Sequence, residues 1–376
     1  MNIPFIDLDA QKQFLGQKIE DAVSNVLKHK KFINGPEVSE FEKLMSEFSH
    51  VNEVITCGSG TDALLLPLMA IGVGKGDAVF VPSFTFVATA EVVSMLNATP
   101  VFVDVDINTF NIDPQKLEEA IIFSKKIGLS PKVIIPVDLF GQPAPYEEIN
   151  QIASQFSLDV ISDAAQSFGG MQSDKPVGTL TKITSTSFFP SKPLGCYGDG
   201  GAVLTNDETL ANILRSLRSH GSGQNKYDNV RIGVNSRLDT IQAAVLIEKI
   251  KILRIEIEKR NQVAHKYTDG IDNKIDRPLI QDGNYSAWAQ YTIKTKNRDE
   301  LSEYLFQKGI PTVVYYPKPL HLQSAYSSFP RYPEDLKVSE YLSESVLSLP
   351  MHPYLSSDDQ ERIIGLINEY NKVKKS

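Results

Sequence analysis

Cysteine is nearly absent: Cys57 and Cys196 are the only two among 376 residues. That excludes a disulfide-stapled scaffold and fits a reducing compartment, so a cytoplasmic location is expected. Long apolar runs are missing as well. The longest uncharged stretches, near residues 78–90 and 92–103, are interrupted by Pro, Ser, Thr or Asn. Both fall short of the roughly 18 apolar residues a membrane helix needs. The opening run Met1-Asn2-Ile3-Pro4-Phe5-Ile6-Asp7-Leu8-Asp9 has neither a basic n-region nor a clean apolar h-region, so no signal peptide is expected. Basic charge is in deficit, 38 Lys and Arg against 46 Asp and Glu, for a net −8. This argues against nucleic acid or an anionic membrane as partner, while a pocket for an anionic small molecule remains compatible. No Walker sequence, H-E-x-x-H or zinc-spaced cysteine pair occurs, so phosphoryl transfer and metal hydrolysis lack support and no metal site is expected.

What is present is a globular composition, 41% hydrophobic and 22% charged, long enough for one large domain with an appendage or for two to three domains. Short apolar runs alternate with helical patterns. Val54–Cys57, Val79–Val81, residues 100–103, 133–137 and 159–162 read as buried strands. Helices are expected from Thr61, over 88–96 and over 146–156 between them. That alternation predicts an α/β fold with a mostly parallel sheet covered on both faces. After Arg237 the apolar positions Leu238, Ile241, Ala244, Val245, Ile250, Leu253 and Ile257 share one helical face with no Pro or Gly before Gly270, which predicts one long bridging helix. A smaller α+β unit follows, with strands at 291–293 and 312–316 around a helix at 301–306.

Ligands of open α/β sheets sit beyond the carboxyl ends of the strands, so those ends carry the chemistry. Asp163 ends the run Leu158–Asp163 and is followed by small residues that let a ligand approach. A helix N-cap or turn aspartate is the structural alternative there. Lys192 lies between Phe188-Phe189-Pro190 and a loop carrying four glycines. Burial there would lower its pKa toward the neutral amine that Schiff-base chemistry requires, whereas most lysines are solvated surface residues. Gly58-Ser59-Gly60-Thr61 sits between a strand and a helix, the setting of a phosphate site. The same residues fit the weak fingerprint G-x-G-x-x-A, but no acid closes the next strand, which disfavours nicotinamide. A phosphate cradle, a strand-end carboxylate and a lysine in an aromatic-glycine loop together match the needs of pyridoxal 5′-phosphate (PLP).

These segments also carry a resemblance. From Phe5-Ile6-Asp7-Leu8 through Gly35-Pro36-Glu37-Val38, Pro82-Ser83-Phe84-Thr85-Phe86, Asp163-Ala164-Ala165-Gln166-Ser167-Phe168-Gly169, the Lys192 loop, Gly233-Val234-Asn235-Ser236-Arg237 and Tyr316-Pro317-Lys318-Pro319-Leu320-His321, the chain resembles the DegT/StrS sugar aminotransferases. The resemblance implies the PLP-dependent transferase fold type I, with a large PLP-binding α/β domain over 1–250 and a small C-terminal α+β domain over 251–376. It implies PLP covalently bound at Lys192, Asp163 against the ring nitrogen and Gln166 beside the ring hydroxyl. Gly60, Thr61 and Ser187 are expected on the phosphate and Phe86 on the ring face. Asn235 is expected to reach the phosphate of a second subunit, with Arg237 near it, which implies a homodimer with shared sites. On residue type alone, the favoured reading is Phe86 as a core aromatic and Asn235 as a turn residue.

Some members carry a histidine in place of the lysine and act as dehydratases; Lys192 puts this chain with the transaminases. Many members have a histidine before the Tyr-Pro pair, where this chain has Tyr315. Sugar contacts are expected from Arg237, Tyr315, Tyr316 and His321, with Lys226 and Arg231 as weaker cationic candidates. The implied activity moves the amino group of L-glutamate, released as 2-oxoglutarate, to a nucleotide-linked keto-sugar. UDP-2-acetamido-2-deoxy-3-oxo-D-glucuronate is the foremost acceptor, serving O-antigen or other surface polysaccharide. The alternatives are a dTDP- or GDP-linked keto-6-deoxy sugar and, in another class, a non-catalytic binding or regulatory module.

Overall fold

The structure, a computed structural model, describes residues 3–225 and 227–373. Its frame is an eight-stranded sheet in the order Glu53–Cys57, Gly201–Thr205, Ile183–Ser187, Asp159–Asp163, Ser130–Ile134, Asp77–Pro82, Thr99–Val103, Arg331–Tyr332. Only Gly201–Thr205 runs against its neighbours. The period of two along a strand shows how both faces are filled. Within Asp77–Pro82, Val79 and Val81 pack with Leu64, Leu66 and Val93 on one face, while Ala78 and Phe80 pack with Leu117, Ile121 and Ile149 on the other. Helices Gly60–Ile71 and Ala88–Met95 cover the first face, and Pro114–Lys126 and Tyr146–Phe156 the second. Each fully buried Val, Leu, Ile or Phe contributes about 1.5–3 kcal/mol of transfer free energy, which makes this double core the main stabilising element.

A second assembly lies C-terminally. Tyr291–Lys294 pairs antiparallel with Val346–Leu349, and helices Leu253–Gly270, Arg298–Gln307 and Ser357–Val373 belong to the same region. Tyr267, Trp288, Tyr291, Leu301, Leu347 and Ile363 share one apolar cluster there, to which N-terminal Ile3 also belongs. No helix among the described residues is long and apolar enough to cross a membrane.

Three expectations are corrected. The long helix after Arg237 is two helices, Thr240–Ile250 and Leu253–Gly270. It breaks at Lys251 and Ile252 without Pro or Gly, where the Ile252 N–H turns to the Lys249 carbonyl at 3.2 Å. The first of the pair is buried nearly all round between other helices, and the second presents a narrower apolar stripe, so packing demands the bend. Residues 312–316 form no strand. Val313 makes one bridge with Ser348, and the chain then departs to bring Tyr315 and Tyr316 to a cavity described below. Strands Ile183–Ser187 and Gly201–Thr205 were not expected from the pattern. The first is Thr- and Ser-rich yet buried, because its hydroxyls find carbonyls: Ser185 Oγ donates to Ala63 O at 2.6 Å and Thr186 Oγ1 to Ala164 O at 3.2 Å.

Candidate active site

Four loops leave the sheet at its carboxyl edge, after Glu53–Cys57, Asp77–Pro82, Asp159–Asp163 and Ile183–Ser187, and they meet around a cavity of about 440 Å³. That volume falls in the roughly 300–1,000 Å³ range of small-molecule sites. Its lining includes Gly60, Thr61, Phe86, Asp163, Gln166, Ser187, Lys192, Tyr315 and Tyr316. A larger surface groove of about 1280 Å³, along Tyr146–Gln155 and residues 279–284, holds none of them.

The cradle begins at Ser59, which caps helix Gly60–Ile71 by accepting from Asp62 N at 3.0 Å. The N–H groups of the first helical turn have no intrahelical acceptor, and the helix dipole adds positive potential there. Gly60 lets this terminus press against Ser187: a Cβ at position 60 would lie 2.5 Å from Ser187 Cβ and 2.8 Å from its Oγ. A small anion fits that close approach better than any added side chain.

Asp163 closes its strand and is buried. Thr89 Oγ1 donates to its Oδ2 at 2.9 Å, and Ala165 N to its Oδ1 at 3.3 Å. Burial pushes its carboxyl pKa up, opposed by those two donors and by the Lys192 charge. A buried carboxylate with donors on both oxygens and no ion pair among the described residues is matched by a bound cation such as a protonated ring nitrogen. Lys192 sits in the loop between Ile183–Ser187 and Gly201–Thr205, which Phe188 N closes onto Gly200 O at 2.8 Å. Burial lowers the Lys192 pKa, opposed by Asp163. A buried acid and a buried amine thus line one cavity with the helix terminus at Gly60 and Ser187 at its edge, a combination that fits the needs of PLP.

Gln166 accepts from Phe140 N at 2.6 Å, which leaves its amide nitrogen toward the cavity, 3.4 Å from Tyr316 Oη. Behind it lies a second buried carboxylate, Asp138. Its Oδ1 accepts from Ala144 N at 2.9 Å and Tyr146 Oη at 2.7 Å, and its Oδ2 from Ser167 Oγ at 2.6 Å. Burial pushes Asp138 up to about 7, against the pull of these donors. Phe86 is 55% exposed and so is not a core aromatic; its ring centroid is 6.3 Å from that of Tyr316.

Other expected residues stand elsewhere. His321 is buried outside the cavity, with Nδ1 2.7 Å from Ser83 Oγ and Nε2 3.1 Å from Glu340 Oε1. Asn235 is exposed and Arg237 half-buried, and neither lines this chain's own cavity. Ser236 between them accepts from Gly58 N at 3.0 Å and donates to Asp62 Oδ2 at 2.8 Å, which holds the segment against the outer side of the cradle. The Arg237 Nε is buried without a partner among the described residues. Arg231 donates to Ser216 Oγ at 3.1 Å, away from the cavity, and Lys226 lies outside the described residues. Thr89, Asp138 and the cavity-lining Gln290 were missed from the sequence. None stands in a pattern that separates it from other buried polar residues.

Comparison with known proteins agrees with this geometry. Residues 13–368 match the DegT/DnrJ/EryC1/StrS aminotransferase family. The chain is 46% identical over 356 residues to a UDP-2-acetamido-2-deoxy-3-oxo-D-glucuronate aminotransferase of Pseudomonas aeruginosa, covering 94% of this chain and 96% of that one. It is 39% identical to a dTDP-3-amino-3,6-dideoxy-alpha-D-galactopyranose transaminase of Aneurinibacillus thermoaerophilus, covering 98% and 99%. Its fold superposes on a crystal structure of a DegT DnrJ EryC1 StrS aminotransferase from Brucella abortus with a TM-score of 0.97 at 52% identity, covering 98% and 99%. The chain is therefore a member of the DegT/DnrJ/EryC1/StrS family, a PLP-dependent aminotransferase of fold type I.

Proposed function

We propose that this aminotransferase moves the amino group of L-glutamate onto a UDP-linked 3-keto-sugar, with UDP-2-acetamido-2-deoxy-3-oxo-D-glucuronate as acceptor, for O-antigen or related surface polysaccharide. The observation that carries the reading is the convergence of Lys192, Asp163, Gln166 and the Gly60–Ser187 cradle on one cavity. The 46% identity to an enzyme named for that acceptor supports the choice of sugar.

When bound, PLP supplies an electron sink for breaking the donor's Cα–H bond. Lys192 is the residue we assign to carry the cofactor. Its Nζ, which burial biases toward the neutral amine, would take the proton from the donor's Cα and deliver it to the cofactor's C4′ carbon. Asp163 holds a proton at the ring nitrogen, steadied by Thr89 and Ala165. Gln166 offers its amide nitrogen to the ring hydroxyl, the first-turn N–H groups at Gly60 and Thr61 with the Ser187 hydroxyl take the phosphate, and Phe86 covers the ring face. Tyr315 and Tyr316, which line the same cavity, bound the acceptor's side of it.

Asn235 and Arg237 are assigned to the site of a second copy in a symmetric homodimer, since neither lines its own chain's cavity. The Arg237 guanidinium, whose Nε has no partner among the described residues, then serves an acceptor that carries a carboxylate and a diphosphate. His321, held between Ser83 and Glu340, is assigned to shaping the loop that bears Phe86. The chain is proposed to act in the cytoplasm as two units divided near residue 250, where the helix breaks; Leu253 and Ile257 still pack with the large unit, and the separate C-terminal cluster takes up from Val263. Arg331–Tyr332 nevertheless returns to pair with the large sheet.

The 39% identity to a dTDP-sugar transaminase supports a second acceptor class, dTDP-linked keto-6-deoxy sugars. A panel of UDP-, dTDP- and GDP-linked keto-sugars with L-glutamate held fixed separates them by mass spectrometry. Amination of the UDP-3-oxo-glucuronate ahead of the rest supports the proposal, and preference for a 6-deoxy sugar replaces it.

A further inference from the structure

Among the cavity-lining residues without a role above, Gln290 stands out for a buried polar atom that has no partner among the described residues. Gln290 is 8% exposed, lines the cavity, and its Oε1 is buried with no donor among the described residues. A buried carboxamide without partners weakens the fold, and a leucine would fill the space without that cost. Its place is rigid. Gln290 N donates to Phe140 O at 3.3 Å and Ala287 N to Gly141 O at 2.9 Å. Gly141 has φ 111°, and a Cβ on it would lie 2.5 Å from Trp288 N and 2.9 Å from Ala289 N, so the two backbones meet at a distance only glycine allows. Phe140 N also orients Gln166, so one contact fixes two carboxamides around the same space.

The unmatched group selects its ligand by chemistry. A carboxamide presents an acceptor and two donors, whereas the carboxylates of an amino acid and the phosphates of a nucleotide only accept. A sugar hydroxyl or acetamido N–H satisfies the buried Oε1, and the hydroxyl oxygen also accepts from Nε2. We infer that Gln290 is a substrate-contact residue that reads a hydroxyl or acetamido N–H of the keto-sugar, and thereby discriminates among acceptors. This rests on the nucleotide-sugar reading above.

The two half-reactions are separable on the PLP-loaded protein by stopped-flow absorbance. L-Glutamate drives one, and the UDP- or dTDP-linked 3-amino sugar, whichever converts wild type faster, drives the other in reverse. Gln290→Leu and Gln290→Ala are expected to lower kcat/KM for the amino sugar by about 10- to 100-fold. The glutamate step is expected to change by less than about threefold, and the melting temperature of cofactor-free Gln290→Leu to stay level or rise. Equal losses in both steps, weakened PLP retention, a large drop in melting temperature, or an unchanged amino-sugar step overturns the assignment. Failure of the wild type with glutamate and with every other amino donor overturns the aminotransferase reading beneath it, an outcome distinct from the failure of Gln290 alone.

Discussion

Asp138→Asn tests the buried polar frame behind the cavity. Asp138 is fully buried and takes three donors, from Ala144, Tyr146 and Ser167, which tie residues 138–146 to the loop bearing Gln166. Burial outweighs them and pushes its pKa from the ordinary 3.8 to about 7. The folded state therefore keeps this proton at pH values where the unfolded chain has lost it, so the group's contribution to stability falls as pH rises through that window and is flat above it. At 1.36 kcal/mol per pH unit, the interval from 3.8 to about 7 amounts to about 4 kcal/mol. Asparagine is nearly isosteric, its oxygen can accept from Ala144 and Tyr146, and its NH₂ can donate to Ser167 Oγ. Urea denaturation of the cofactor-free protein at pH 5, 6, 7 and 8 should show the variant gaining on wild type across the acidic points and holding its advantage from pH 7 to 8. A constant difference at all four pH values, or a uniform loss of several kcal/mol, refutes the reasoning.

Three further perturbations probe the cavity itself. Thr89→Val removes a donor from Asp163 without changing shape; PLP affinity, read by absorbance titration, should fall about tenfold as the carboxylate loses a charge-assisted hydrogen bond. Gly60→Ala forces a Cβ against Ser187 and should cost about 1–3 kcal/mol of stability by urea denaturation, with affinity for PLP falling more than affinity for pyridoxal, which lacks the phosphate. Gly141→Ala meets both a φ of 111° and the Trp288 backbone, so a loss of at least about 2 kcal/mol is expected, with lowered activity even where the protein remains folded.

Much of this architecture was readable because it follows from period and punctuation. The helix at 146–156 appears with those bounds, and the buried strands around Val79, Val101 and Val160 lie where the apolar runs placed them. Lys192, Asp163 and Gly60, which line one cavity, stood out in the sequence because each broke a local expectation: a lysine among aromatics and glycines, a carboxylate at a strand end, glycines before a helix. What escaped notice lacks such a signature. Ile183–Ser187 is a core strand written in Thr and Ser, legible only once its hydroxyls are seen bonded to carbonyls. The bend at Lys251–Ile252 comes from tertiary packing and not from Pro or Gly. Thr89, Asp138 and Gln290 matter through what they face, and facing is a property of the folded chain.

The central claim, that Lys192 and Asp163 face PLP in a working transaminase, is tested most directly by the visible spectrum of the PLP-loaded protein before and after L-glutamate. Wild type should show a long-wavelength band that gives way to the shorter-wavelength pyridoxamine form with release of 2-oxoglutarate, and Lys192→Ala should not make that conversion. A band unmoved by glutamate or by any other amino donor, no band in wild type after adding PLP, or full conversion by Lys192→Ala would contradict it.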